Sequence, residues 1–220
     1  MFHAFRVPLQ RLSRVTALGL FLAGSAAWAA PGPMSFRSSG NVQALAIKIK
    51  RDRTITLAPV FQEGQLTEFH AEIIDHTKDD EILKGSMKVL SGGRVVSDDP
   101  GMVNACSILG IHPPLLRALR EGKGPITVAG STEIWGSVYS SHVTHTVIGR
   151  DSPTGLLRIK SETVGPDDRF HLTTLTKMGK DGIPLESKTT GTIRKGFIDL
   201  QVDLKMVRTP TPPQALAKSE

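Results

Sequence analysis

From Gly196 to Val207 the chain reads GFIDLQVDLKMV, and from Ile198 to Met206 apolar and polar residues alternate without a slip. Ile198, Leu200, Val202, Leu204 and Met206 fall on one side of an extended chain, and Asp199, Gln201, Asp203 and Lys205 on the other. Successive side chains of a strand point to opposite faces, so this segment has one dry face and one wet face. Such a strand covers a core and turns its back to water; it does not lie between two layers.

The same period recurs along the chain. In VQALAIKIK (Val42 to Lys50), Leu45, Ile47 and Ile49 oppose Lys48 and Lys50; RTITLAPVF follows, then a turn at QEGQ. LTEFHAEIIDH (Leu66 to His76) and EILKGSMKVL (Glu81 to Leu90) flank the turn TKDD. Later, GLLRIKSETV, RFHLTTLTKM and IPLESKTTGTIRK are separated by GRDSPTG, GPDD and GKDGIP. Short amphipathic runs punctuated by Gly, Pro and Asp read as strands joined by tight turns. Connections this short exclude parallel crossovers. The fold class expected is mainly β: an antiparallel β-barrel or strongly curled sheet of about eight to ten strands. No repeat of fixed period is present, which excludes propellers and solenoids.

Two stretches break the rhythm. Asp99 to Pro125 places Met102, Cys106 and Leu109, then Leu115, Leu116 and Leu119, at helical spacing. Pro113 and Pro114 suit the first turn of a second helix and Gly122 its end, so a short helical segment near 102–121 is expected to cap an open end of the sheet. Ile126 to Gly149 is about twice the usual strand length. Its apolar residues change parity, Ile126, Val128, Ile134, Val138 and Ile148 against Trp135, Tyr139, Val143 and Val147. A bend or hairpin near Gly136 or at Ser140-Ser141 would reconcile the two sets.

The N-terminus carries an address. MFHAFRVPLQRLSR holds three arginines and no acid, Val15 to Trp28 is uncharged, and Ala27-Trp28-Ala29 offers small residues for a signal peptidase. The apolar run is shorter than the roughly twenty residues of a retained span. The sequence thus predicts a cleaved secretory signal over 1–29, an extended lead-in over 30–40, one β-rich domain over 41–208 and a disordered Pro-rich tail over 209–220. The expected location is periplasmic or secreted.

Composition bounds the partners. Net charge is +6, from 27 Lys and Arg against 21 Asp and Glu; removing the three leader arginines leaves +3. The charges are dispersed, with no basic stripe interleaved with aromatics, so nucleic acid is not an expected partner. No stretch after residue 33 is long and apolar enough to span a membrane as a helix. An aromatic content of 5% argues against the aromatic girdles of an outer-membrane barrel. The single cysteine, Cys106, has no partner for an intrachain disulfide and sits in the apolar run VNACSILGI.

Candidate chemistry is sparse. His70, Glu72 and His76 share strand parity and could form a metal site, though the same pattern suits a solvated face. His142 and His145 lie three apart on a β-type segment, which sends their rings to opposite faces. The pairs Asp79-Asp80, Asp98-Asp99 and Asp167-Asp168 fit turn positions, where acids bond their own backbone. There is no nucleophile elbow and no phosphate loop. Cys106 with His112 is a nucleophile pair by type only, since nothing nearby would activate the thiol. No cofactor is expected, and catalysis ranks behind binding.

The leading expectation is a binding protein for an apolar or amphipathic small ligand such as a lipid. Trp135, Tyr139, Val143, Leu115 and Leu119 are the expected ligand contacts, since antiparallel barrels enclose cavities lined by side chains. This outline is similar to lipocalin-like exported barrels, a likeness of architecture alone. The alternative is a cell-envelope accessory or assembly protein acting by protein–protein contact, with Gly196 to Val207 offering a strand edge. A metal or cysteine hydrolase comes third.

Overall fold

The structure, a computed structural model, describes residues 31–44, 47–134 and 136–211. Residues 1–29, expected to be a cleaved signal, and most of the Pro-rich tail lie outside the described residues. The strands are β1 (Met34–Ala44), β2 (Ile47–Gln62), β3 (Gln65–Asp75), β4 (Glu81–Val89), β5 (Val95–Val96), β6 (Ile126–Ile134), β7 (Ser137–Arg150), β8 (Leu157–Val164), β9 (Phe170–Met178), β10 (Pro184–Lys195) and β11 (Ile198–Thr209). Two helices, α1 (Pro100–Cys106) and α2 (Pro113–Arg120), lie between β5 and β6. All eleven strands form one antiparallel sheet in the order β5-β4-β3-β2-β1-β11-β10-β9-β8-β7-β6. Eleven strands replace the eight to ten expected from the sequence.

The sheet is not closed: β5 and β6 are its two free margins. It is curled, because α1 packs on β4 and β5 at one margin and on β6 and β7 at the other. Asn104 of α1 makes the join. Its Oδ1 accepts from the Glu133 backbone N–H at 3.2 Å, and its Nδ2 donates to the Glu133 backbone carbonyl at 3.0 Å and to Glu133 Oε2 at 2.9 Å. One side-chain amide thus imitates a neighbouring strand at this point of the β6 edge, satisfying a donor and an acceptor that an edge strand leaves open. The Glu133 carboxylate also accepts from Gly136 N–H and so ties the β6–β7 turn to the seam.

Two local readings change. Residues 34–40, expected to belong to an extended lead-in, supply most of β1, which is paired with β2 on one side and β11 on the other. Met34 and Phe36 point inward and are fully buried, whereas the inward positions above them hold Ser38 and Gly40, which blur the alternation. Val42 to Lys50 is not one strand; β1 ends at Ala44, β2 begins at Ile47, and these two residues face each other across a hairpin. Ile126 to Gly149 does fold back, with β6 and β7 paired about a turn at Gly136, whose φ of +82° suits glycine.

The helices form as their sequence dictates. Asp99 caps α1, its Oδ1 accepting from Gly101 N–H at 2.8 Å, and prolines occupy the first turn of both helices. Met102, Ala105 and Leu109 pack with Met34, Phe36, Leu57, Phe69 and Met87. Leu115, Leu116 and Leu119 pack with Leu157, Ile159 and Met178. Both clusters occupy the end of the curl at which β1 and β8 start and β9 finishes. Inward glycines let the sheet bend elsewhere: Gly40 and Gly191 both have φ of +149°, and a Cβ on either would lie 2.1 Å from a carbonyl oxygen of the neighbouring strand.

Replacing Asn104 by Ala is expected to destabilise the fold by about 1 kcal/mol, the ordinary worth of an exposed amide's hydrogen bonds. The sharper readout is hydrogen exchange, in which the Glu133 amide should lose protection while amides in β1 and β11 keep theirs.

Candidate functional site

Inside the curl, above the two helix-packed clusters, lies a cavity of about 720 Å³. Its lining follows from strand parity. The inward residues of β7 to β10 align in cross-strand rows through the pairings His145↔Ser161, Ser161↔Thr174 and Thr174↔Thr189. His145 Nδ1 and Ser161 Oγ lie 2.8 Å apart and Thr174 and Thr189 hydroxyls 2.9 Å apart, so this belt is hydrogen-bonded within itself. Thr163, Thr176 and Ser187 extend the hydroxyl wall above and below it. Ile55, Ile73 and Val95 from the other half of the sheet, with Ile108 and Ile111 from the helical insert, form an aliphatic wall. The cavity therefore has one polar, uncharged side and one greasy side.

Arg53, Arg94, Glu133 and Lys205 reach its wall, whereas its two histidines and its cysteine are held neutral. Burial depresses the His145 pKa to about 4, with nearby His112 adding to the effect. Burial likewise lowers His112, helped by the positive charge of Arg94 at the cavity edge, and His112 Nδ1 is buried without a hydrogen-bond partner. Cys106 is half-buried, and burial pushes its thiol up to about 11. A thiol that reluctant to ionise is a poor nucleophile at neutral pH. The nearest charged pair is Arg53 and Asp75. Burial alone would raise the Asp75 carboxyl, but hydrogen bonds from Thr77 and from Arg53 Nε at 2.8 Å hold it below its ordinary value.

The residues singled out from the sequence are dispersed. Val143 lines the cavity between Thr163 of β8 and Val128 of β6. Tyr139 lies further along β7 in a separate hollow, edge-on to Phe170 at 6.3 Å, with the Arg169 guanidinium 5.1 Å from its ring centre. Leu115 and Leu119 pack in the α2 core and are not among the cavity-lining residues. Trp135 lies outside the described residues. His70, Glu72 and His76 are on the outer face, each engaged separately: His70 with Glu68 at 3.9 Å, Glu72 with Lys84 at 2.8 Å, and His76 with Thr54 and Asp80. Among the described residues no group of three His, Cys, Asp or Glu side chains is arranged to hold a metal ion. His142 and His145 take opposite faces, His142 exposed and His145 buried.

The hydroxyl belt went unmarked in the sequence, although its signal was present. RIKSETV, HLTTLTK and ESKTTGT all carry Ser or Thr at positions whose parity matches inward-facing apolar neighbours. The strand Gly196 to Val207, expected to offer a free edge, instead lies inside the sheet as β11, paired with β1 and β10. What the geometry defines is an open, curled antiparallel sheet around an internal amphipathic cavity. Compared with models of protein families, with curated proteins and with solved structures, the chain matches none.

The depressed His145 pKa has a stability consequence. Below about 6.5 the unfolded histidine takes up a proton that the folded one refuses until about 4. Stability is therefore at its plateau above that window and falls as pH drops through it, by at most about 3 kcal/mol. Urea denaturation across the window should show this slope, and His145→Gln should flatten it. His112, whose pKa is lowered in the same sense, accounts for the slope that remains.

Proposed function

We propose that this chain is an exported binding protein, periplasmic or secreted, that holds an apolar or amphipathic small ligand such as a lipid in the interior of its curled sheet. The observation that carries the reading is the cavity itself. Its volume of about 720 Å³ lies within the roughly 300–1,000 Å³ typical of small-molecule sites. Its lining, aliphatic on one wall and hydroxyl and neutral imidazole on the other, suits a ligand with a hydrocarbon body and an uncharged hydrogen-bonding group. An ionised group would be poorly served in that belt, because the belt offers it no counter-charge. His112 Nδ1, buried and unpartnered, is the atom with hydrogen-bonding capacity to spare.

Export is supported by the leader pattern of residues 1–29. Catalysis gains no support from Cys106, whose thiol is held protonated. An assembly role through a strand edge loses β11 and retains only the short β5 and the margin of β6.

Native mass spectrometry of protein purified from cells tests the reading. The spectrum should show a chain beginning at Ala30 and an additional non-covalent mass that organic solvent removes. Val143→Trp combined with Thr189→Phe fills the cavity at a stability cost of about 1–3 kcal/mol and should abolish the bound mass while the protein stays folded. A wild-type protein free of any extractable molecule, or a filled variant that carries as much of it, overturns the proposal.

A further inference from the structure

Strands β1, β2, β10 and β11 run on past their neighbours. β3 pairs with β2 only from Arg53 onward, and β9 pairs with β10 only as far as Ile193. The hairpin ends of β1–β2 and β10–β11 therefore project as a tongue past β3 on one side and β9 on the other, at the end opposite the two helix-packed clusters; the β6–β7 hairpin likewise runs on past β8. Side chains of β1, β2, β10 and β11 there keep the inward parity of the cavity wall, but among the described residues nothing covers them. Ile47 is 67% exposed, Ile49 42% and Ile198 47%, and Phe197 at the β10–β11 turn is fully exposed. The apolar surface is continuous with the cavity. Val42, which lines it, faces Ile49 across β1–β2, and Ile193, which also lines it, faces Leu200, the inward neighbour of Ile198.

The charges on the tongue have a sign. Asp52 is held by Arg37 at 2.6 Å and Asp199 by Arg194 at 3.2 Å. Lys48 and Lys50 stand exposed on the outer side of the same strand that carries Ile47 and Ile49. Asp167 and Asp168 belong to the separate β8–β9 turn beside Arg169, so the positive rim is local to the β1–β2 tip.

We infer that this tongue docks on the surface of an anionic lipid bilayer. Protruding apolar tips interleaved with lysines suit the interfacial zone: isoleucine and phenylalanine enter the headgroup–acyl boundary, and ammonium groups reach lipid phosphates. Docked this way, the protein would present the open end of the cavity to the membrane along the path Val42, Ile49, Ile47. The inference goes beyond the ligand proposal and does not need it, because bilayer binding is a property of the tips whether or not the cavity is filled.

The test is co-sedimentation of the purified protein with vesicles of phosphatidylcholine alone and of phosphatidylcholine with about one third phosphatidylglycerol. Binding is expected to the anionic vesicles and to weaken as salt rises. Lys48→Glu with Lys50→Glu should weaken it by about tenfold or more. Ile47→Ser with Phe197→Ser should do the same at low salt, and both pairs of exposed substitutions should leave thermal stability unchanged. Absence of binding to anionic vesicles, or binding that neither pair of substitutions alters, overturns the inference. So does self-association in sedimentation velocity that the Ile47 and Phe197 variant abolishes, since that would make a second copy the occupant. The solvent-extractable mass of the same variants keeps the two proposals apart: its persistence alongside lost vesicle binding separates docking from the cavity ligand.

Discussion

The structure depends on one constraint: a wide sheet with a single dry face has to hide that face without a second layer. Eleven strands curl until their margins approach, but β5 is two residues long and is not paired to β6. Helix α1 fills the gap instead. Asn104 supplies β6 with the donor and acceptor of an absent strand, while Met102 and Ala105 on the same helix enter the core. A helix in the seam contributes apolar volume that a twelfth strand would not. It also covers an edge that would otherwise invite pairing with other chains.

The cavity follows from that geometry. The circumference is set by the number of strands, yet the inward positions halfway up are small: Ser38, Gly40, Gly130, Ser161, Thr174, Ser187, Thr189 and Gly191. Interiors otherwise pack densely, and here two short helices and the large side chains of Phe36, Phe69 and Met87 pack only one end. Space remains where the side chains are short. The glycines serve a second purpose, because at Gly40 and Gly191 adjacent strands approach closer than a Cβ allows. The sharp bend and the open interior therefore arise at the same residues.

Much of this was legible in the sequence. The unbroken alternation of Ile198 to Met206 states which face of β11 is dry, and the prolines and leucines of 113–119 mark α2. A fold-back near Gly136 or at Ser140-Ser141 was legible because Val128 and Val143 differ in parity, and the strand pairing puts it at Gly136. Other features were hidden for physical reasons. β1 begins with Met34, Ser35 and Phe36, all buried, and then places serine and glycine inward, so hydropathy does not report its faces. The hairpin between Ala44 and Ile47 continues an apolar alternation without a break, and its partner strand, not its local sequence, shows where it turns. Burial also decided the polar residues: His145 and Ser161 look surface-compatible alone and acquire their role only when register sets them side by side.

The two histidines narrow what chemistry the interior accepts. A charged imidazole in the belt would have to be stabilised against desolvation, and the carboxylates at or near the cavity are already engaged: Glu133 accepts from Asn104 and Gly136, and Asp75 from Arg53 and Thr77. Neutral His145 instead shares a hydrogen bond with Ser161, and neutral His112 keeps Nδ1 unpartnered beneath the positive charge of Arg94. A cation entering the belt would find no counter-charge there. Arg53 and Lys205 at the wall are paired with Asp75 and Glu186, so an anion would find its compensation at the edge, from Arg94 or from the lysines of the tongue. The electrostatics therefore sort an amphipathic molecule by orientation: hydrocarbon and neutral polar groups inward, any charge outward toward the rim.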